Sequence, residues 1–140
     1  MPEPLPQYIH DRIFDLATAM KDASERGDPA MTEECYEEMR DYCLALIDEG
    51  RECAFLWETL GDFTREDDQA LQFYERALSC AEHDKEAVHD ILIAMGERYS
   101  DKKSYALARE LLSRGLRLAF AAGDTDMAAR ADVLLGELPS

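Results

Sequence analysis

The chain has 140 residues, of which 46% are hydrophobic, so it is long enough for one domain with a core and too apolar for a disordered protein. It carries 31 acidic and 15 basic residues, a net charge of −16, and this sign disfavours binding to nucleic acid and to anionic lipid. The acids are concentrated in residues 1–70, which hold 19 acids and six bases. The negative charge either attracts cationic protein surfaces or serves solubility alone.

The N-terminal stretch, MPEPLPQYIHDRIFDL, has no basic start followed by an apolar block, so it does not predict a secretory signal. No apolar run approaches the roughly 18–20 residues of a membrane span, and no membrane partner is expected. The cysteines contain no CxxC pair, which favours reduced thiols over a metal site; they are Cys35, Cys43, Cys53 and Cys80. These features predict a cytoplasmic protein.

Apolar residues recur at three- and four-residue spacing along almost the whole chain, which predicts helices. The first helix is predicted at 6–25. Its packed side is expected to carry Ile9, Ile13, Phe14, Leu16, Ala17 and Met20. Gly27 is expected to end it, and Pro29 to delay the next helix. Thr32 is then expected to cap a helix over 32–49.

Five further helices are predicted after Gly50, over 52–63, 67–82, 84–99, 102–121 and 125–138. Asp84 is the expected cap of the helix over 84–99, and Ser100 or Asp101 precedes the next one. Gly123 ends that helix. Connections of roughly two to six residues make neighbouring helices antiparallel, so the seven helices form either a closed bundle or a row of stacked pairs.

Internal repetition favours the row of pairs. Gly61, Gly96 and Gly136 each follow a large apolar residue inside a predicted helix, at intervals of 35 and 40 residues. Glycine inside a helix costs about 1 kcal/mol relative to alanine, which predicts that another helix packs closely there. The partner helices carry small residues seven positions apart, namely Ala70 and Ala77, then Ala108 and Gly115.

This pattern resembles the tetratricopeptide repeat, W-x2-L-G-x2-Y followed by A-x3-F and a small residue over roughly 34 residues. The matching residues are Trp57, Leu60, Gly61, Ala70, Tyr74 and Ala77, then Gly96, Tyr99, Ala108 and Gly115. Two departures are visible. Thr64 replaces the expected tyrosine, and the interval from Gly61 to Ala70 is shorter than that from Gly96 to Ala108, which predicts a short helix or turn in the first unit.

The resemblance implies an all-α fold, a short right-handed α-solenoid of about seven antiparallel helices in a single domain spanning 1–140. A diverged helix pair would occupy 6–50, repeat-like units 52–82 and 84–122, and a capping helix 125–138. In this family the first helix of each pair lines a concave surface. Counting from each glycine places Glu137 there, together with the eight residues of the predicted site: Phe55, Glu58, Asp62, Asp90, Ile93, Glu97, Arg130 and Val133.

The predicted groove is acidic with apolar insets, and Phe55 is the best candidate for an anchor. The predicted groove lacks the basic and amide residues with which some family members hold the acidic tails of chaperones. A second acidic surface is predicted on the helix over 32–49, and it is either a solvated face or a docking site. Its residues are Glu33, Glu34, Glu37, Glu38 and Asp41. Trp57 is expected in the core.

No catalytic motif is present, since G-x-S-x-G, a phosphate-binding glycine loop and H-E-x-x-H are all missing. The histidines, His10, His83 and His89, are expected at the surface without a metal. The sequence therefore predicts a protein that is not an enzyme and has no cofactor. It predicts a module that binds a basic protein, as an immunity protein or a secretion chaperone. The alternatives are a self-assembling adaptor, such as a homodimer, and a diverged helical bundle with an unrecognised ligand.

Overall fold

The computed structural model describes residues 3–139, which form seven α-helices and no β-strand, so the predicted all-α fold is confirmed. A single π-helical turn, Ile47–Arg51, follows the second helix. The helices are α1 (Gln7–Glu25), α2 (Pro29–Leu46), α3 (Ala54–Phe63), α4 (Asp67–His83), α5 (His89–Asp101), α6 (Tyr105–Ala121) and α7 (Thr125–Glu137).

Helix packing follows the order of the chain. The main pairs are α1 with α2, α3 with α4, and α5 with α6, and α7 packs on both α6 and α5. Within residues 3–139 the first and last helices share no extensive contact, so the seven helices form a row rather than a closed ring. The odd-numbered helices α3, α5 and α7 consequently come together along one side of the row.

The buried side chains form two clusters that share α5. The larger cluster draws on α1 to α5 and includes Trp57, which is buried as predicted and donates its indole N–H to Glu52 at 2.8 Å. The smaller cluster lies among α5, α6 and α7 and consists of Ile93, Ala108, Leu112, Ala131 and Leu138. Ile91 joins the first cluster and Ile93 the second, so both sides of α5 are packed.

Of the three glycines predicted to mark close helix approaches, Gly61 and Gly96 do so. A Cβ atom on Gly61 would lie 2.6 Å from Cε1 of Tyr74, and one on Gly96 would lie 2.7 Å from Cγ of Leu112. Tyr74 and Leu112 occupy equivalent positions, each four residues after a buried alanine. The prediction is wrong for Gly136: among residues 3–139, no atom lies within 4 Å of the position that its Cβ would take.

The predicted shortness of the first unit is also confirmed, since α3 has 10 residues and α5 has 13. The start of α2 was predicted wrongly. Proline fits the first turn of a helix, where its missing N–H has no helical partner, so Pro29 begins α2 instead of delaying it. Asp28 supplies the cap by accepting a hydrogen bond from the Met31 N–H at 3.0 Å.

The start of α5 was misplaced because α4 ends without glycine. Lys85 adopts a left-handed conformation, φ 59°, and the Glu86 N–H donates to the Ala81 carbonyl at 2.8 Å. Asp84 therefore lies at the end of α4, and α5 begins only at His89. Lys103, φ 64°, ends α5 in the same way, which moves the start of α6 from the predicted 102 to Tyr105. Ser100 and Asp101 consequently lie inside α5.

Candidate functional site

The side chains of α3, α5 and α7 enclose a depression of about 230 Å³. It lies on the side of the row that the repeat pattern predicts to be concave. Six of the eight predicted groove residues line it: Glu58, Asp62, Asp90, Ile93, Glu97 and Arg130. A neighbouring depression of about 440 Å³, which shares Asp62 and Glu97, continues the surface towards Asp101.

The electrostatic character of the depression is negative. Four of its lining side chains are carboxylates and one is an arginine. Arg130 donates to Oε2 of Glu97 at 2.7 Å and so offsets one of the four charges. Asp62 accepts a hydrogen bond from the hydroxyl of Tyr74 at 2.6 Å, which holds its carboxylate in place without adding a positive charge. A cation entering here would meet carboxylates from two helices at once.

The crowding of these acids appears in their pKa values. Burial, followed by the charges of Asp62 and Asp90, raises the pKa of Glu58 to about 7. Burial also raises the pKa of Asp62, against the opposing effects of the hydrogen bond from Tyr74 and the positive charge of Arg98. Both raised pKa values mean that the charged form of the carboxyl group is disfavoured. A bound cation would therefore stabilise the charged form.

Replacing Glu58 with glutamine is expected to flatten the pH dependence of stability. When the pKa of a carboxyl group is higher in the folded than in the unfolded protein, the folded protein binds more protons at any pH between the two pKa values. The contribution of Glu58 to the free energy of unfolding is therefore greatest below about pH 4.5 and is lost as pH rises through about 7. At pH 8 we expect Glu58→Gln to be more stable than the natural chain by about 1–3 kcal/mol.

Urea unfolding followed by circular dichroism at pH 5, 6, 7 and 8 measures this difference. Glu37→Gln is the matched control, because it removes the same charge from an exposed position on α2. Parallel pH curves for Glu58→Gln and Glu37→Gln would show that Glu58 has an ordinary pKa.

Two of the eight predicted residues lie outside the depression, and a third is not exposed. Phe55 is 39% exposed but faces α1, where its ring lies 4.8 Å from that of His10. Val133 is 56% exposed and does not line the depression. Ile93 is only 2% exposed and packs against Gly115, because a residue three positions before Gly96 shares that glycine's side of the helix.

A second, more apolar hollow of about 460 Å³ lies between α1 and α3. Its lining includes His10, Phe14, Ala17, Phe55, Thr59 and Phe63, together with Asp62. Phe14 was predicted to pack in the core, yet it is 70% exposed at the edge of this hollow. The spacing of His10, Phe14 and Ala17 could have indicated this hollow, since positions three and four apart share one face of a helix. Asp62 borders both the hollow and the acidic depression.

The acidic face of α2 is separate from this surface. All five of its predicted residues are exposed: Glu33, Glu34, Glu37, Glu38 and Asp41. Glu38 pairs with Arg12 of α1, and Asp41 pairs with Arg40 at 3.3 Å. Neither pair desolvates its carboxylate, so this face has the character of a solvated helix surface.

His89 contradicts the prediction of a surface histidine, because it is only 7% exposed. Its Nε2 lies 2.9 Å from Oδ2 of Asp124 and 3.4 Å from Oδ1 of Asp90, close enough for the three residues to share a metal ion. Asp124, however, already uses both oxygens, since Oδ1 accepts the Met127 N–H at 3.2 Å and caps α7. Hydrogen bonding therefore accounts for this cluster without a metal.

Arg98 is a further residue that sequence reasoning missed. From α5 it reaches the end of α3, where it donates to the carbonyl oxygens of Gly61 at 3.1 Å and Thr64 at 2.6 Å. It also pairs with Asp67 at the start of α4, at 3.2 Å. Arg98 thus positions α3, the helix that carries Glu58 and Asp62, relative to α5.

No protein-family model matches the chain, and no curated protein is significantly similar to it. The resemblance to tetratricopeptide repeats therefore rests on the sequence pattern alone. Among the helices of residues 3–139, none has the length and apolar character needed to cross a membrane.

Proposed function

We propose that this chain is a non-catalytic binding module of the tetratricopeptide type, whose acidic concave surface holds a basic segment of another protein. The observation that carries this proposal is the meeting of Glu58, Asp62, Asp90 and Glu97 around one depression. Electrostatic complementarity of this kind favours cationic partners and speeds their association.

The energetics of the site favour a charged ligand over water. Glu58 and Asp62 are partly desolvated and repel Asp90, so the depression brings like charges together. A lysine or arginine side chain would relieve this repulsion and form charge-assisted hydrogen bonds. Two biological roles fit such a module: an immunity protein that neutralises a basic toxin, and a secretion chaperone that shields a basic cargo.

Binding of fluorescein-labelled hexalysine, followed by fluorescence anisotropy at pH 8, tests the proposal. We expect affinity to fall steeply as ionic strength rises to the physiological range. We expect Glu58→Gln/Asp90→Asn to weaken binding by about tenfold, because it removes two of the converging carboxylates.

The matched control is Glu33→Gln/Glu37→Gln, which removes two charges from the exposed face of α2. This variant should change the affinity by less than about twofold. If the α2 variant weakened binding more than the groove variant, the docking surface would lie on α2. If the two variants had equal effects, hexalysine would be responding only to net charge, and the groove proposal would be wrong.

A further inference from the structure

The apolar hollow between α1 and α3 adjoins the acidic depression between α3, α5 and α7. Asp62 lines both, so the two form one continuous surface that changes from aromatic to acidic across α3. A single extended or helical segment lying across α3 would contact the hollow at one end and the carboxylates at the other.

The hollow has the features of a site for a large apolar side chain. Its volume of about 460 Å³ lies within the range of ligand-binding pockets, and three phenylalanines line it. Phe14 is 70% exposed and Phe55 is 39% exposed, so both rings have surface left to bury. Exposed aromatic clusters beside polar groups are typical of protein-binding sites.

We propose that the segment recognised by this protein is bipartite, with a bulky apolar side chain that enters the α1–α3 hollow and adjacent lysine or arginine side chains that meet Glu58, Asp62 and Asp90. This inference rests on the proposed function and adds the chemistry of the ligand. Charge complementarity at the acidic end selects a basic protein segment as the occupant of the whole surface. The apolar end supplies the contact that distinguishes one basic segment from another.

The test compares two labelled peptides of equal charge, hexalysine and Phe-Leu-hexalysine, at pH 8. We expect the Phe-Leu arm to strengthen binding by about tenfold, since it buries apolar surface in the hollow. The ratio of the affinity for Phe-Leu-hexalysine to that for hexalysine should fall towards one in Phe14→Ala/Phe55→Ala. It should stay near ten in Glu58→Gln/Asp90→Asn, while both peptides bind more weakly.

Phe120→Ala is the matched control, because Phe120 is 77% exposed on α6 and lies outside the hollow. It should leave the ratio unchanged. A ratio near one in the natural chain, or a ratio of ten that survives Phe14→Ala/Phe55→Ala, would overturn the bipartite ligand. If hexalysine itself failed to respond to Glu58→Gln/Asp90→Asn, the proposed function would fail instead.

A second copy of this chain is the competing occupant of the hollow. Sedimentation equilibrium of the natural chain and of Phe14→Ala/Phe55→Ala separates the two possibilities. A monomer in both cases supports a peptide ligand. A dimer that dissociates in the double variant would assign the hollow to self-association and overturn the proposal.

Discussion

Replacing Arg98 with alanine is expected to destabilise the protein by about 2–4 kcal/mol, because a half-buried network of hydrogen bonds loses its donor. The side chain of Arg98 is only 16% exposed. It donates to three backbone carbonyl oxygens around the end of α3, those of Gly61, Thr64 and Arg65. Its loss would leave these acceptors and the Asp67 carboxylate without their shared donor.

Urea unfolding of Arg98→Ala, Arg98→Met and Arg98→Lys measures this contribution. Methionine keeps most of the aliphatic packing, so a loss close to that of alanine would assign the effect to the guanidinium. Lysine should recover only part of the stability, since one ammonium cannot reproduce the planar fork of donors. Arg109→Ala is the control for lost positive charge, because Arg109 is exposed and, within residues 3–139, donates only to the Pro139 carbonyl. An Arg98→Met protein as stable as the natural chain would contradict the assignment.

Replacing Gly96 with alanine is expected to destabilise the protein by about 1–3 kcal/mol, although alanine is the better helix former. The new Cβ would lie 2.7 Å from Cγ and 2.9 Å from Cδ2 of Leu112. Leu112 is fully buried in the smaller core cluster, so it has little room to move away.

Gly136→Ala provides the opposite expectation at a second helical glycine. No atom lies within 4 Å of a Cβ built there, so alanine should stabilise the protein by up to about 1 kcal/mol. Thermal unfolding of both variants gives the comparison. A double variant, Gly96→Ala with Leu112→Ala, should lose less stability than the two single changes added together. If both glycine variants shifted stability in the same direction, close packing at Gly96 would not be the cause.

The sequence predicted most of the helices because their apolar spacing is regular and their ends carry glycine or a capping side chain. It failed where backbone geometry departed from these residue preferences. Lys85 and Lys103 adopt the left-handed conformation that glycine occupies at Gly27 and Gly123, so no glycine marked those two helix ends. Lysine has no special preference for this conformation, and only the surrounding hydrogen bonds reveal it.

The acidic residues of the site could be predicted from their spacing in the sequence. The full set of residues that line the site could not. Counting from Gly61 and Gly96 assigned Glu58, Asp62, Asp90 and Glu97 to one surface, and all four line the depression. Ile93 was misplaced because the counting rule placed it opposite Gly96, whereas three residues bring a helix almost back to the same side. His89 and Arg98 act through partners 35 and more than 30 residues away, and such pairings depend on how the helices pack.

The division of the core at α5 has a consequence for the acidic depression. Ala128 and Ala131 are the buried side chains within α7, and Met127, Leu134 and Leu135 pack partly buried against the smaller cluster. Met127 and Arg130 belong to this helix and form one wall of the acidic depression. The position of this wall therefore depends on how the smaller cluster packs, whereas the α3 wall belongs to the larger cluster.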